Sequence, residues 1–231
     1  MLEHTVLYLT LISYIMFTYL FHGPSGCGKD TQIDLLATKL KFVKIGTGEM
    51  FRTTFEEGDP DGIKAHELWS VGKFVDSELT YRMLDKWLSK YDPNQNWIFV
   101  SVVRVADQIA MFDLLMQKYN RKLDAFIHLN LDRDTAIERM SMRRICPLCK
   151  SVYHLKYNPP IVDGVCDKDG IGLIQRDDDY PEKITNRLDE YNRTIEPILE
   201  EYRSRKILIE VDASPSIEDI QADLLEKINL F

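Results

Sequence analysis

An apolar run, Phe17 to Phe21, gives way at once to Gly23-Pro-Ser-Gly-Cys-Gly-Lys-Asp-Thr31, and that stretch leads into the helix-patterned segment Gln32 to Lys41. A strand that ends in a glycine-rich turn and re-emerges as a helix restricts the fold severely. The turn's backbone N–H groups and the positive end of the new helix are aimed at one spot. Gly23, Gly26 and Gly28 permit the backbone such a turn needs, Cys27 lies inside it, and Lys29 adds a mobile positive charge. The combination predicts a cradle for the phosphates of a nucleoside triphosphate. A strict phosphate loop carries Ser or Thr directly after the lysine, whereas here Asp30 holds that place and the hydroxyl follows as Thr31.

Four further β-type runs, Phe42 to Ile45, Trp97 to Val103, Ala125 to Leu131 and Ile207 to Val211, alternate with helix-patterned segments. Five strands separated by helices predict an α/β fold with a parallel sheet covered on both faces. Asp76 is the predicted cap of a helix reaching Lys90, and Ser216 with Asp219 predicts a capping box ahead of Ile220. A chain of 231 residues, 45% of them hydrophobic, suffices for one core with inserted lobes. Its net charge of −8 argues against a non-specific nucleic-acid binder, which needs a basic face.

Two intervals fit neither strand nor simple crossover, residues 46–75 and 142–179, and these are the predicted lobes. The core is then residues 16–45, 76–141 and 180–231. Residues 1–15 read as an apolar extension, with Met16 as the natural start. The uncharged stretch Thr5 to Phe21 touches the lower limit of a membrane span, but its last residues are needed as a central strand, so no anchor is expected.

The second interval contains Cys146-Pro-Leu-Cys149 and Cys166-Asp-Lys-Asp169, two knuckles of the same spacing. Three thiolates and one carboxylate make a closed, structural zinc site. His154 competes with Asp169 for the fourth place. Disulfides are the rival use of these thiols, disfavoured in a reducing compartment.

Taken in order, the phosphate loop, Gly46-Thr-Gly-Glu-Met-Phe-Arg52, Gly72-Lys-Phe-Val75, the knuckled segment with Val152-Tyr-His154, and Arg176-Asp-Asp-Asp179 resemble the adenylate kinases that carry a long, metal-binding lid. The similarity runs over about residues 17–228. It implies a P-loop nucleoside monophosphate kinase fold: a five-stranded parallel sheet with a monophosphate-binding lobe (46–75) and a zinc-binding lid (142–179). It also implies reversible, Mg²⁺-dependent transfer, ATP + AMP giving two ADP, in adenine nucleotide homeostasis. The expected protein is a cytoplasmic monomer with nucleotide partners, and no nucleic-acid, protein or membrane partner.

Carried over position by position, the resemblance implies that Lys29, Arg104, Arg143, Arg176 and Arg187 are catalytic. Gly23, Gly26, Cys27, Gly28, Lys29, Asp30, Thr31, Arg139, Arg143, Val152, Tyr153 and Pro215 would meet ATP. Thr47, Arg52, Lys73, Phe74, Val75, Ser101, Arg104, Gln108, Arg176 and Arg187 would surround AMP, with Asp178 and Asp179 as an acidic pair among the arginines. Phosphoryl transfer asks mainly for alignment and for spreading of negative charge, which suits so many arginines.

One segment departs from the family. Where it has Asp-Gly-Phe-Pro-Arg, this chain reads Val100-Ser-Val-Val-Arg104, and Val100 has no polar atom to hold a magnesium-bound water. Glu49 is the remaining acidic candidate for that contact, and the expectation is an active but slower kinase. The altered segment also leaves open a CMP/UMP-type kinase, or a nucleotide-binding sensor without turnover. Asp30 replaces a family glycine and is expected to point away from the phosphates; Ala213 replaces another.

Overall fold

The computed structural model describes residues 16–70, 75–176 and 179–229. Strand β1 (Thr18–His22) is buried along its whole length. It lies between β3 (Asn96–Val100) and β4 (Ala125–Asn130), with β2 (Phe42–Gly46) beyond one and β7 (Leu208–Asp212) beyond the other. The order β2-β3-β1-β4-β7 is parallel throughout, as expected. The connection after β1 runs toward β2 and the one after β4 runs the other way, toward β7, and the crevice between such opposed connections, beyond the C-terminal ends of the strands, is where such sheets bind ligands.

Side chains alternate between two apolar layers. Tyr19 and Phe21 pack with Ile98, Ile127 and Ile209 on the side of α1 (Lys29–Leu40), α6 (Arg133–Ser141) and α8 (Ile217–Asn229). Leu20 faces the other way, with Phe99 and Phe126, on the side of α4 (Ser77–Leu88) and α5 (Asp107–Lys118). The long helix α7 (Pro181–Ser204) serves both, giving Ile184 and Leu188 to the first layer and Ile198 and Tyr202 to the second. Tyr202 stacks on Phe126 with ring centroids 4.4 Å apart.

Caps fix the helix starts. Asp76 accepts from the Leu79 N–H at 2.8 Å and Asp132 from the Thr135 N–H at 2.9 Å. Ser216 accepts from the Asp219 N–H at 3.1 Å and donates to the Asp219 carboxylate at 2.8 Å. At the N-terminal end of the sheet, buried Arg121 donates to Thr18 Oγ1 and to the carbonyls of Phe17, Pro93 and Gln95, tying β1 to the segment that enters β3.

The two irregular intervals have structure of their own. Residues 46–70 contain α2 (Thr47–Glu56) and α3 (Pro60–Trp69), where Asp59 caps α3 and Pro60 opens it. Phe55 of α2 stacks on His66 of α3 at 3.8 Å. Residues 143–154 form an antiparallel pair, β5 (Arg143–Ile145) and β6 (Val152–His154), joined by short bridges to residues 158 and 174.

The third strand ends at Val100 instead of Val103, because Ser101 takes φ 50° and turns the chain out of the sheet. The helix opened by Asp76 ends at Leu88, two residues before Lys90. Residues 1–15, Lys73, Phe74 and Asp178 lie outside the described residues. Among the described residues no helix is long and apolar enough to cross a membrane.

Candidate active site

His22 ends β1 and is the first polar group at the crevice. Its Nδ1 accepts the Gly23 N–H at 3.0 Å, and its ring stacks on Tyr191 at 5.5 Å. Burial above all, and then the charges of Lys29 and Arg104, hold its pKa well below the usual histidine range, so the imidazole is neutral. A Cβ on Gly23 would stand 2.7 Å from Cys27 Sγ and from the Leu129 carbonyl oxygen, which reserves the position for glycine. Gly28 takes φ 77° as the N-cap of α1 and makes no side-chain cap bond. The first-turn N–H groups of α1 are therefore offered to an anion. Burial pushes the Cys27 thiol up, so it stays protonated inside the loop.

Arginines from three elements converge beside this loop. Asp179 is fully buried, accepts from Arg143 Nε at 2.7 Å and lies 3.8 Å from Arg187 Nη1. One carboxylate thus sets the direction of two guanidinium groups, one from the start of β5 and one from α7. Arg104 keeps an exposed flank but stands deep between protein walls. Burial, and then the like charge of Arg187, depress its pKa below the usual arginine range. Like charges held this close form a seat that an anion completes.

Arg104 is itself positioned from both ends. Its Nε donates to the Ser101 carbonyl at 3.1 Å, and its backbone N–H donates to Gln108 Oε1 at 2.7 Å. Gln108 Nε2 donates in turn to Ser77 Oγ at 3.1 Å, so this amide braces the loop on which Arg104 sits. Arg139 donates to the carbonyls of Ala213 and Ser214 at 2.6 and 2.9 Å, beside exposed Pro215. Arg176 is half-buried near the end of the second interval, and its carbonyl accepts the Asp179 N–H at 3.0 Å.

On the opposite side of the crevice Thr47 is buried at the start of α2, Arg52 is exposed one turn on, and Val75 packs partly on the core. Glu49 neighbours Tyr91, whose hydroxyl is pushed up by burial and then by that carboxylate. Val100 closes β3 in register with Phe21 on one side and Gly46 on the other.

Asp30 is exposed on the first turn of α1 and pairs with a lysine of β2. Its carboxylate is 3.0 Å from Lys44 Nζ, which also meets Asp34 at 2.9 Å. Burial works to raise its pKa, but the charges of Lys44, Lys29 and Arg143 outweigh that and hold it below the usual carboxylate range. Thr31 is exposed on the first turn of α1.

The knuckles meet in one place. Ligand atoms of Cys146, Cys149, Cys166 and Asp169 all lie within 4.8 Å of one another, with Cys146 Sγ 3.2 Å from Asp169 Oδ2 and Cys149 Sγ 3.7 Å from Cys166 Sγ. The set has the donors, number and convergence that a tetrahedral zinc ion requires. His154 stands outside it, its Nδ1 accepting the Lys156 and Tyr157 N–H groups at 3.1 and 3.2 Å. All four cysteines are free of disulfides. Tyr153, expected at ATP, turns its side chain inward: its hydroxyl is 3.4 Å from Cys166 Sγ and accepts the Asp167 N–H at 2.9 Å. Neighbouring Val152 is exposed.

His22 and Lys44 escaped the sequence reading. A histidine ending an apolar run just before the first glycine was a usable signal for His22. Lys44 had none, because its link to Asp30 exists only once β2 lies beside α1.

A sequence model of the adenylate kinase family matches residues 21–207. The adenylate kinase of Acholeplasma laidlawii is 34% identical over 207 residues, covering 90% of this chain and 95% of its own. Those of Geobacillus sp. and Chloroherpeton thalassium are each 36% identical, over 204 and 205 residues, covering 88% of this chain and 94% of theirs.

Proposed function

This chain belongs to the adenylate kinase family, and on that premise we propose how its residues divide the transfer of a phosphoryl group between ATP and AMP. The enzyme is a nucleoside monophosphate phosphotransferase catalysing ATP + AMP ⇌ 2 ADP. The observation that carries the division of labour is the gathering of Arg143 and Arg187 on buried Asp179, next to Arg104 and the phosphate loop.

The loop amides and Lys29 hold the ATP phosphates, with Gly23, Gly26, Cys27, Gly28 and Thr31 shaping the loop. Arg139, seated on the Ala213 and Ser214 carbonyls, presents its flat face at the adenine edge near Pro215. Arg104 and Arg187 receive the AMP phosphate, while Thr47, Arg52, Val75, Ser101 and Gln108 line the acceptor side together with Lys73 and Phe74. Arg143 and Arg176 close on the transferring group from the lid side. The step itself moves a phosphoryl group between two phosphate oxygens, so the residues align the nucleotides and spread negative charge. Bound with ATP, Mg²⁺ supplies further neutralisation of the β- and γ-phosphates.

Residues 142–179 form the lid and 46–75 the acceptor lobe. The three-thiolate, one-carboxylate set suits zinc, which staples the lid so that it closes as one body and keeps water from the phosphoryl group. Free thiols at Cys146, Cys149 and Cys166 fit a reducing, cytoplasmic setting, and a monomer suffices because one chain supplies every group named.

Steady-state kinetics test the assignment. Arg104→Ala should raise KM for AMP about tenfold or more, with KM for ATP nearly unchanged, as expected for loss of a charge-assisted bond. Arg139→Ala should do the reverse. Equal weakening of both substrates in both variants would contradict this division.

A further inference from the structure

Two departures from the family fall on the same face of the sheet, and each makes sense of the other. The loss is Val100, where an aspartate that orients the hydrated metal is expected and an apolar side chain stands. The gain is Asp30, in the position after the loop lysine. In strict phosphate loops that position carries the Ser or Thr whose hydroxyl binds Mg²⁺, and in this family it carries a glycine.

Both positions lie at the C-terminal end of the sheet, Asp30 on the first turn of α1 and Val100 as the last residue of β3. Lys44 and Gly46 lie two residues apart on β2, and they pair in register with Ile98 and Val100 of β3, so all four belong to one face. That face is the one α1 covers: Ile33 and Leu36 of α1 share a core layer with Ile98, and Val100 packs against the same layer. Asp30, on the first turn of α1, reaches that face through Lys44 Nζ at 3.0 Å. Asp30 and Val100 thus both stand at the C-terminal edge of the sheet, where the phosphates bind.

We propose that Asp30 takes over the duty that Val100 cannot perform, orienting the hydrated Mg²⁺ that accompanies ATP. This rests on the kinase reading above. Lys44 presently offers Asp30 a cation at hydrogen-bond distance, and it keeps a second partner in Asp34 at 2.9 Å, so release of Asp30 does not leave the ammonium alone. Against burial, Lys44 first, and then Lys29 and Arg143, hold the carboxylate below its usual range, and the last two stay within electrostatic reach when Lys44 turns to Asp34. An ionised oxygen suits both direct and water-mediated contact with a hard cation. Glu49, the other acidic candidate, is exposed on α2 within electrostatic reach of Tyr91, and the variants below read the share that Asp30 carries.

The test reads metal binding separately from turnover. Mn²⁺ replaces Mg²⁺, and its affinity for the protein–ATP complex is measured by the loss of the free-Mn²⁺ electron paramagnetic resonance signal. Metal-free ATP binding is measured by calorimetry in EDTA. Asp30→Gly should weaken Mn²⁺ about tenfold or more, the scale of one charge-assisted bond, while metal-free ATP binds as well as before or better, because a negative charge has left the phosphate site. Asp30→Asn, which keeps the shape and loses the charge, should fall in between. Val100→Asp in the Asp30→Gly background should restore Mn²⁺ affinity. Unchanged Mn²⁺ affinity in Asp30→Gly overturns the proposal, and so does loss of metal-free ATP binding in that variant, which would make Asp30 a structural part of the loop. If the unaltered protein binds no ATP with or without metal, the nucleotide-site reading itself falls.

Discussion

Ser101 holds a left-handed backbone, φ 50°, in a buried position where its N–H donates to the Phe21 carbonyl at 2.9 Å and its carbonyl accepts from Arg104. A left-handed conformation costs a residue with a Cβ about 1–2 kcal/mol, and glycine offsets part of that gain through its freer unfolded chain. Ser101→Gly should therefore stabilise the fold by roughly 0.5–1 kcal/mol, read from the urea midpoint at unchanged slope. A less stable variant would show that the serine hydroxyl matters more than the strain. At this scale the sequence spoke clearly where one residue suffices. The loop glycines, Lys29 and the Asp76 cap act through their own backbone or their immediate neighbours, and each was legible. The neutral state of His22 and the pairing of Asp30 with Lys44 depend on strands and helices brought together from elsewhere, and no local pattern carries them.

Among the elements, the parallel strands announce themselves because buried strands read as continuous apolar runs. The inserted segments do not. Residues 143–176 fold around an apolar cluster of only Cys146, Tyr153 and Cys166, with Leu173 packed against it, while Leu148, Ile161 and Val162 are exposed. So small a core cannot organise a lobe without a staple, and the convergent Cys146, Cys149, Cys166 and Asp169 provide the place for one. Protein purified without chelator should carry about one zinc per chain by atomic emission. Stripping the metal, or Cys149→Ser, should speed proteolytic cleavage within residues 142–179 at least about tenfold, and leave the main thermal transition of the sheet nearly in place. Cleavage at an unchanged rate after metal removal would mean that the knuckles do not need an ion. The cysteine spacing marks where the staple lies. The repeated spacing favours Asp169 over His154 as the fourth ligand, and His154 turns to the Lys156 and Tyr157 N–H groups instead.

The whole molecule places the glycine-rich loop after β1, at the crevice where the connections after β1 and β4 run in opposite directions. Ion pairs of Arg82 with Asp61, Lys86 with Asp59 and, just past the end of α4, Lys90 with Glu57 link this part of the core to the α2–α3 segment. The Arg82–Asp61 pair is two-pronged, at 2.7 and 3.0 Å, whereas the Lys90–Glu57 pair is exposed on both sides and spans 3.5 Å, so it adds little. The order of motifs along the chain was enough to read the family and the sheet. What it left open is whether a chain with Val100 in place of the metal-orienting aspartate still turns over, and with which acceptor. The most direct measurement is ADP formation by zinc-replete protein at fixed ATP and Mg²⁺, with AMP, CMP, UMP and GMP offered in turn. Turnover with AMP far above the other three is the predicted result. Absence of turnover with every acceptor, in protein that still binds ATP, would contradict the account.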